Sequence, residues 1–172
     1  PLHKLSVFTD PLKYSFIDFQ NKENLILFSP DDINKNLEII KLFNEKLLIF
    51  NCRIIQNLTY TEYLEQIAKA KFVFTFGEGL DFYFIETVYS GGVAISVYNN
   101  DFFTEGFRNL PGVFDNYIML KDQITDFVSA LQKEDYYTNI NRQQLDQVNQ
   151  VYKYTEYVDN IKNFYLGKIL HA

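Results

Sequence analysis

The stretch "KFVFTFGEGLDFYFIETVYSGGVAISVY", residues 71–98, decides the fold. Residues 72–76 are aromatic or β-branched, a run suited to a strand buried on both faces. A glycine turn at Gly77 and Gly79 interrupts it, and the apolar residues that follow run on to Gly91 and Gly92, a pair that stops a helix. "VAISVY" (93–98) is then a second buried strand. Strand, turn, helix and strand in close succession make a parallel crossover, and a parallel sheet must be covered on both faces.

The alternation extends in both directions. "NLILFSP" (24–30) is a short apolar run ended by proline, and "DDINKNLEIIKLFNEK" after it places Ile33, Leu37, Ile40 and Phe43 at helical spacing. "LLIFN" (47–51) is a further strand candidate, with the extended "CRIIQNL" directly behind it. Those two cannot be parallel neighbours, because a crossover needs a dozen or so residues. Thr59 or Thr61 caps a helix through "EYLEQIAKA", with Glu62 and Glu65 near its positive end. Later, "YIML" (117–120) reads as a weaker strand and "DQITDFVSALQK" as a helix. Val148, Val151, Tyr152, Val158, Ile161, Tyr165 and Ile169 mark one or two amphipathic helices at the end. The expected fold is α/β: a Rossmann-like, doubly wound parallel sheet with C-terminal helices. Residues 1–23, broken by prolines, are expected to be a connector, and 24–172 a single domain. A start at Pro1 without methionine suggests a piece of a longer polypeptide.

Composition narrows the function classes. The chain has 172 residues and a formal net charge of −6, with no cluster of lysine and arginine. Nonspecific nucleic-acid binding needs a basic footprint, so nucleic acid is not an expected partner. Cys52 is the only cysteine, and His3 and His171 lie near opposite ends. Neither an intrachain disulfide nor a cysteine-based metal centre is expected, and a reducing, cytoplasmic location fits best. No signal peptide is evident, and no apolar stretch approaches the length of a membrane span.

The candidate site follows from the crossover. Ligands of doubly wound sheets bind at the carboxyl ends of strands, where loops enter helix N-termini. "GEG" stands at such a junction, and its glycines permit close approach while free helix amides favour an anion. Without GK[ST] it is not a P-loop. Glu78 and Glu86 are eight positions apart, and eight residues of helix rise roughly 12 Å. Two carboxylates at that separation can address the two ends of an extended ligand with an anionic middle, the shape of a nucleotide sugar. Glu86 is also the only charged residue between Phe82 and Asn100, a costly placement unless it is paired, solvated or used.

"FGEGLDFYFIETVYSGGVAISVYN" resembles the signature of retaining glycosyltransferases of the GT-B architecture, in which a strand leads into E-x7-E, a small residue and glycine, and another strand. Glu78 and Glu86 match the two glutamates, Gly79 the first glycine, and Ser90-Gly91 the small-glycine step. "LILFSP…INKN" is similar to the family's first strand and its diphosphate lysine, at Lys35. The similarity runs from about residue 24 to 168. It implies the donor-binding, C-terminal half of a glycosyltransferase of bacterial surface polysaccharide or glycoconjugate synthesis, located in the cytoplasm or peripherally at the inner face of the plasma membrane. By it Glu78 would be catalytic toward the donor sugar and Glu86 would hold the ribose. Gly79, Leu80, Asp81 and Phe82 would surround the diphosphate with Lys35. The substrate would be a UDP- or GDP-linked sugar with no further cofactor, and a missing N-terminal domain would bring a glycan or lipid-linked acceptor.

Three departures accompany the match. Pro30 stands where the family has a basic residue, Asp81 where it has its second glycine, and a helix between the second and third strands is expected to be deleted at Asn51 to Arg53. Arg108 is the nearby cation considered for the missing diphosphate contact. A non-catalytic module that kept the fold is therefore a rival, and a flavodoxin-like or response-regulator-like domain is another.

Overall fold

The structure, a computed structural model, describes residue 10 and residues 13–168. Five strands form one sheet: β1 (Glu23–Phe28), β2 (Asn51–Ile54), β3 (Ala70–Thr75), β4 (Val93–Val97) and β5 (Val113–Phe114). Six helices alternate with and follow them: α1 (Ile33–Lys46), α2 (Tyr60–Lys69), α3 (Phe82–Tyr89), α4 (Tyr117–Ala130), α5 (Glu134–Val151) and α6 (Tyr154–Tyr165). The strand order is β2-β1-β3-β4-β5, and every pairing is parallel. The fold is thus α/β and doubly wound, with helices at its C-terminal end.

Strand alternation divides the core. Ile26, Phe28, Phe72, Phe74, Val93 and Ile95 point to one face, where Ile39 and Phe43 of α1 and Leu120, Ile124 and Val128 of α4 cover them. Leu25, Leu27 and Val73 point to the other, against Ile67 of α2, and Ala94 lies there against α3 and α5. Chain direction explains the split. The step from β1 to β2 runs one way along the sheet and all later steps run back, so right-handed crossovers put α1 opposite α2 and α3. The reversal opens a crevice at the carboxyl ends of β1 and β3. An order of 2-1-3-4-5 is also that of flavodoxin-like sheets, so the topology by itself names no function.

Helix α5 is fastened by side chains. Tyr137 donates to the carbonyls of Lys71 and Gly91, Asn141 to those of Val88 and Gly92, and Gln144 to those of Ala94 and Pro111. Gln144 also accepts from the Ala94 amide at 2.9 Å. Within the stretch expected to be a connector, the buried Lys22 ammonium donates to the carbonyls of Ala68, Ala70 and Ser90. Phe19 packs on Tyr137 nearby.

Three local expectations change. "YIML" is the first turn of α4: Asn116 accepts from the Met119 amide and starts a helix there, while the last strand falls on Val113–Phe114. "LLIFN" is mostly a turn, with Leu48 and Ile49 exposed, and the strand begins at Asn51. The positions expected to mark a deleted helix, Asn51 to Arg53, lie inside β2. Ile169, expected on the last helix, lies outside the described residues.

Candidate functional site

Helix α3 begins beside the crevice because Asp81 caps it. Its carboxylate accepts from the Phe84 amide at 3.1 Å and from the Thr75 hydroxyl at 2.6 Å. Burial, together with the nearby Asp31 and Glu78 carboxylates, pushes Asp81 up to about 6, against the pull of those two hydrogen bonds. From this start α3 runs along β3 and β4 and turns Glu86 toward α2.

Glu86 is only 3 % exposed, yet it lies on the wall of a cavity of about 1090 Å³. The cavity sits over the loop that follows β2 and the first turn of α2, with Pro30 after β1 on its rim. Three tyrosine hydroxyls donate to the Glu86 carboxylate: Tyr14 at 3.4 Å, Tyr60 at 3.2 Å and Tyr63 at shorter range. Burial raises the carboxyl's pKa while the three hydroxyls and Lys13 oppose the rise. Tyr63 is itself raised, by burial and by Glu86. Phe82, Tyr83 and Tyr157 complete an aromatic lining. A buried carboxylate ringed by hydroxyls and aromatic faces suits a ligand that presents hydroxyls along with a flat or apolar body.

The residues singled out in the sequence divide into two groups. Glu86 and Phe82 line the cavity. Gly79 has φ of +83°, and a side chain there would meet Phe103 and the Ser96 hydroxyl, so internal packing already requires this glycine. Leu80 is buried in the cluster around Phe84 and Phe103. Glu78 is exposed and acts electrostatically on Asp81 and on Tyr152 of the α5–α6 junction. Lys35 pairs with Asp32 at 2.8 Å and lies over the rings of Phe76 and Tyr117, on the sheet face that α1 covers. Arg108 approaches Glu105 and Asp115 at 3.8 and 3.9 Å and stacks on Tyr98. A single cleft holding Glu78, Glu86 and Lys35 is not formed, because Lys35 and Glu86 occupy opposite faces.

The tyrosines and Lys13 were not anticipated. Tyr60 and Tyr63 carried a usable signal, since positions three apart share a helix face and Thr59 fixes where that helix starts through a capping box with Glu62. Lys13 and Tyr14 carried none, because they come from a stretch with no periodicity.

Among the described residues no group of three or more histidine, cysteine, aspartate or glutamate side chains is placed to hold a metal ion. No helix among them is long and apolar enough to cross a membrane. No protein-family model matches the chain, and comparison with curated proteins gives no match.

Proposed function

We propose that this chain is the donor-binding domain of a retaining glycosyltransferase, taking a UDP- or GDP-linked sugar in the synthesis of a bacterial surface polysaccharide or glycoconjugate. The work would be cytoplasmic, at or near the inner face of the plasma membrane, with a glycan or lipid-linked acceptor presented by a second domain. One observation carries the proposal. Glu86, the second glutamate of the E-x7-E spacing, is a buried carboxylate on the wall of a cavity at the carboxyl edge of a doubly wound sheet. A ribose diol can replace the longer bonds from Tyr14 and Tyr60 on the same oxygen, while a base or sugar ring packs on the tyrosines. Glu78 keeps the role of sugar contact in this proposal, at the outer end of the turn.

A specific feature favours the rival, a binding module without catalysis. Asp81 occupies the start of α3 with its own carboxylate, where the glycosyltransferase pattern has glycine and a diphosphate. Calorimetric titration of UDP- and GDP-sugars into the chain and into Glu86→Gln decides between the two. One donor should bind, with affinity reduced about tenfold or more in the variant, as expected for losing a charged hydrogen-bond acceptor. Failure of the wild-type chain to bind any nucleotide sugar would leave the non-catalytic module.

A further inference from the structure

A second buried charge lies at the amino edge of the sheet, away from the cavity. Lys22 is 7 % exposed, and its ammonium donates to the carbonyls of Ala68 at 2.7 Å and of Ala70 and Ser90 at 3.0 Å. Among the described residues no carboxylate is bonded to it. Burial lowers its pKa to about 7, and Asp18 opposes the fall from a distance. Neighbouring charges are engaged elsewhere: Lys69 approaches Glu23 at 4.0 Å, Lys71 donates to Asn24 and lies over the ring of Phe19, and Glu134 accepts from Gln20. A bare ammonium is costly to bury, but this one stands at the carboxyl ends of two helices. Ala68 is in the last turn of α2, Ala70 follows that helix, and Ser90 ends α3. Both helices run back from the carboxyl edge on one face of the sheet, so their negative ends lie side by side. A shared cation offsets that repulsion and takes up carbonyls left free at helix ends.

We infer that Lys22 is a positioning residue of the Glu86 site: by holding the carboxyl ends of α2 and α3 together, it sets how closely Tyr63 approaches the Glu86 carboxylate. The path between them is short. The Ser90 amide donates to the Glu86 carbonyl at 3.0 Å, so Glu86 stands one helical turn, about 6 Å of rise, from the carbonyl that Lys22 grips. Tyr60 and Tyr63, which donate to Glu86 from the facing helix, both belong to α2. The Tyr63 ring also meets that of Tyr83 on α3 edge-on, with centroids 5.6 Å apart. A shift of one helix against the other therefore acts first on these phenol-carboxylate bonds, which weaken steeply as their geometry is lost. The meaning of this for binding rests on the donor-site proposal, whereas the geometry does not: Lys22 governs how well Glu86 is partnered before any ligand arrives.

The test follows the Glu86 carboxyl carbon by NMR as pH is varied, with its signal assigned through Glu86→Gln, in the wild type, Tyr63→Phe, Lys22→Met and the Tyr63→Phe, Lys22→Met double variant. The titratable groups that interact with this carboxyl are Lys13 and Tyr14 of the N-terminal segment, Tyr60 and Tyr63 of α2, and Tyr83 of α3. Tyr63→Phe removes a donor that holds the carboxyl down, so Glu86 should titrate at higher pH. Lys22→Met should move it upward by most of that shift. The double variant should go no further than Tyr63→Phe alone, because both changes break the same bond. A direct effect of the lost charge would instead add to that of Tyr63→Phe, and a merely structural role would lower the denaturation midpoint with the Glu86 titration unmoved; either result overturns the inference. Should Lys22→Met fail to fold, Lys22→Gln, which keeps two N–H donors, is read in the same way. Titration of UDP- and GDP-sugars into the same proteins separates this inference from the donor-site proposal. A donor that the wild type binds should bind about tenfold more weakly to Lys22→Met, and unchanged affinity also overturns the inference. If no donor binds the wild type while Glu86 shifts as stated, Lys22 keeps its positioning role and the donor-site proposal falls.

Discussion

Glu86 and Asp81 show how two carboxylates on one short helix come to differ. Glu86 is buried but receives three hydroxyl donors, so its charge is shared among phenols that lose little by donating. Tyr63→Phe removes the shortest of these donors. It should destabilise the protein by about 1 to 3 kcal/mol at neutral pH, as read by urea denaturation. The deficit should shrink as the pH falls and Glu86 takes up a proton, because a protonated carboxyl needs the donor less. Asp81 behaves in the opposite sense to an ordinary capping aspartate. Its pKa is raised from 3.8 to about 6 in the folded protein, so between those values the folded state binds more protons than the unfolded one. Its contribution to stability therefore falls as pH rises from about 4 to 6 and is level above that. Asp81→Asn keeps the cap and removes this slope. Subtracting variant from wild-type stability across pH 4 to 7 should isolate a decline of at most about 3 kcal/mol, and a flat difference would refute the account of Asp81. That Glu86 is a costly carboxylate to bury was legible from its standing as the only charge among the residues from Phe82 to Asn100; the eight-residue spacing did not tell that it lines a cavity from which Glu78 is absent. The partners of Glu86 were only half legible: Tyr60 and Tyr63 share a helix face, whereas Tyr14 reaches Glu86 across 72 positions of sequence, a contact that no local pattern encodes.

At the scale of elements, the strands and helices of the central crossover are where periodicity and turn chemistry agree. Residues 71–98 form the expected strand, helix and strand because the apolar runs, the Gly77 to Gly79 turn and the Gly91 stop all specify one path. The errors fall where one signal stood alone. "YIML" is apolar enough for a strand, but Asn116 caps a helix at that point, and a cap outweighs β propensity when the residues behind it, Ile118 and Met119, face solvent. "LLIFN" is likewise apolar, but its two exposed apolar residues, Leu48 and Ile49, serve a turn. Helix α5 illustrates a further kind of information, since its polar residues are the ones that bind it to the sheet. Gln144→Ala would leave the Ala94 amide and the carbonyls of Ala94 and Pro111 without their partner. Gln144 is fully buried, so the loss should be about 2 to 4 kcal/mol, measurable as a lower denaturation midpoint. Amide exchange at Ala94 should accelerate in the variant more than at Val73 in the middle of the sheet. Equal acceleration at both would mean that α5 does not secure that edge locally.

For the whole molecule, the question is whether a sheet with one equipped wall can carry out transfer. The described groups that line the cavity make a binding surface: the carboxylates of Glu86 and Asp10, the ammonium of Lys13, the amides of Gln56 and Asn57, and aromatic rings for a flat or apolar body. Glu78, the proposed sugar contact, lies outside that lining. Nothing in the cavity's lining is arranged to hold a second substrate against the first, and positioning two reactants accounts for roughly 7 to 11 kcal/mol of barrier reduction in favourable cases. The chain as given should consequently unfold as one cooperative unit, because all its core clusters share the same five-stranded sheet, and should bind donor without transferring it. With UDP- or GDP-sugars as donor, consumption should be slow and independent of added glycan or lipid-linked acceptor. If a second domain supplies the missing wall, its addition should raise turnover through kcat. The rise should depend on Glu78 through kcat and on Glu86 mainly through KM, since a ribose contact is made equally in ground and transition states whereas a contact to the reacting sugar strengthens as charge develops. Acceptor-dependent turnover by this chain alone would show that an acceptor site already exists within it and would overturn the assignment of the chain to the donor half.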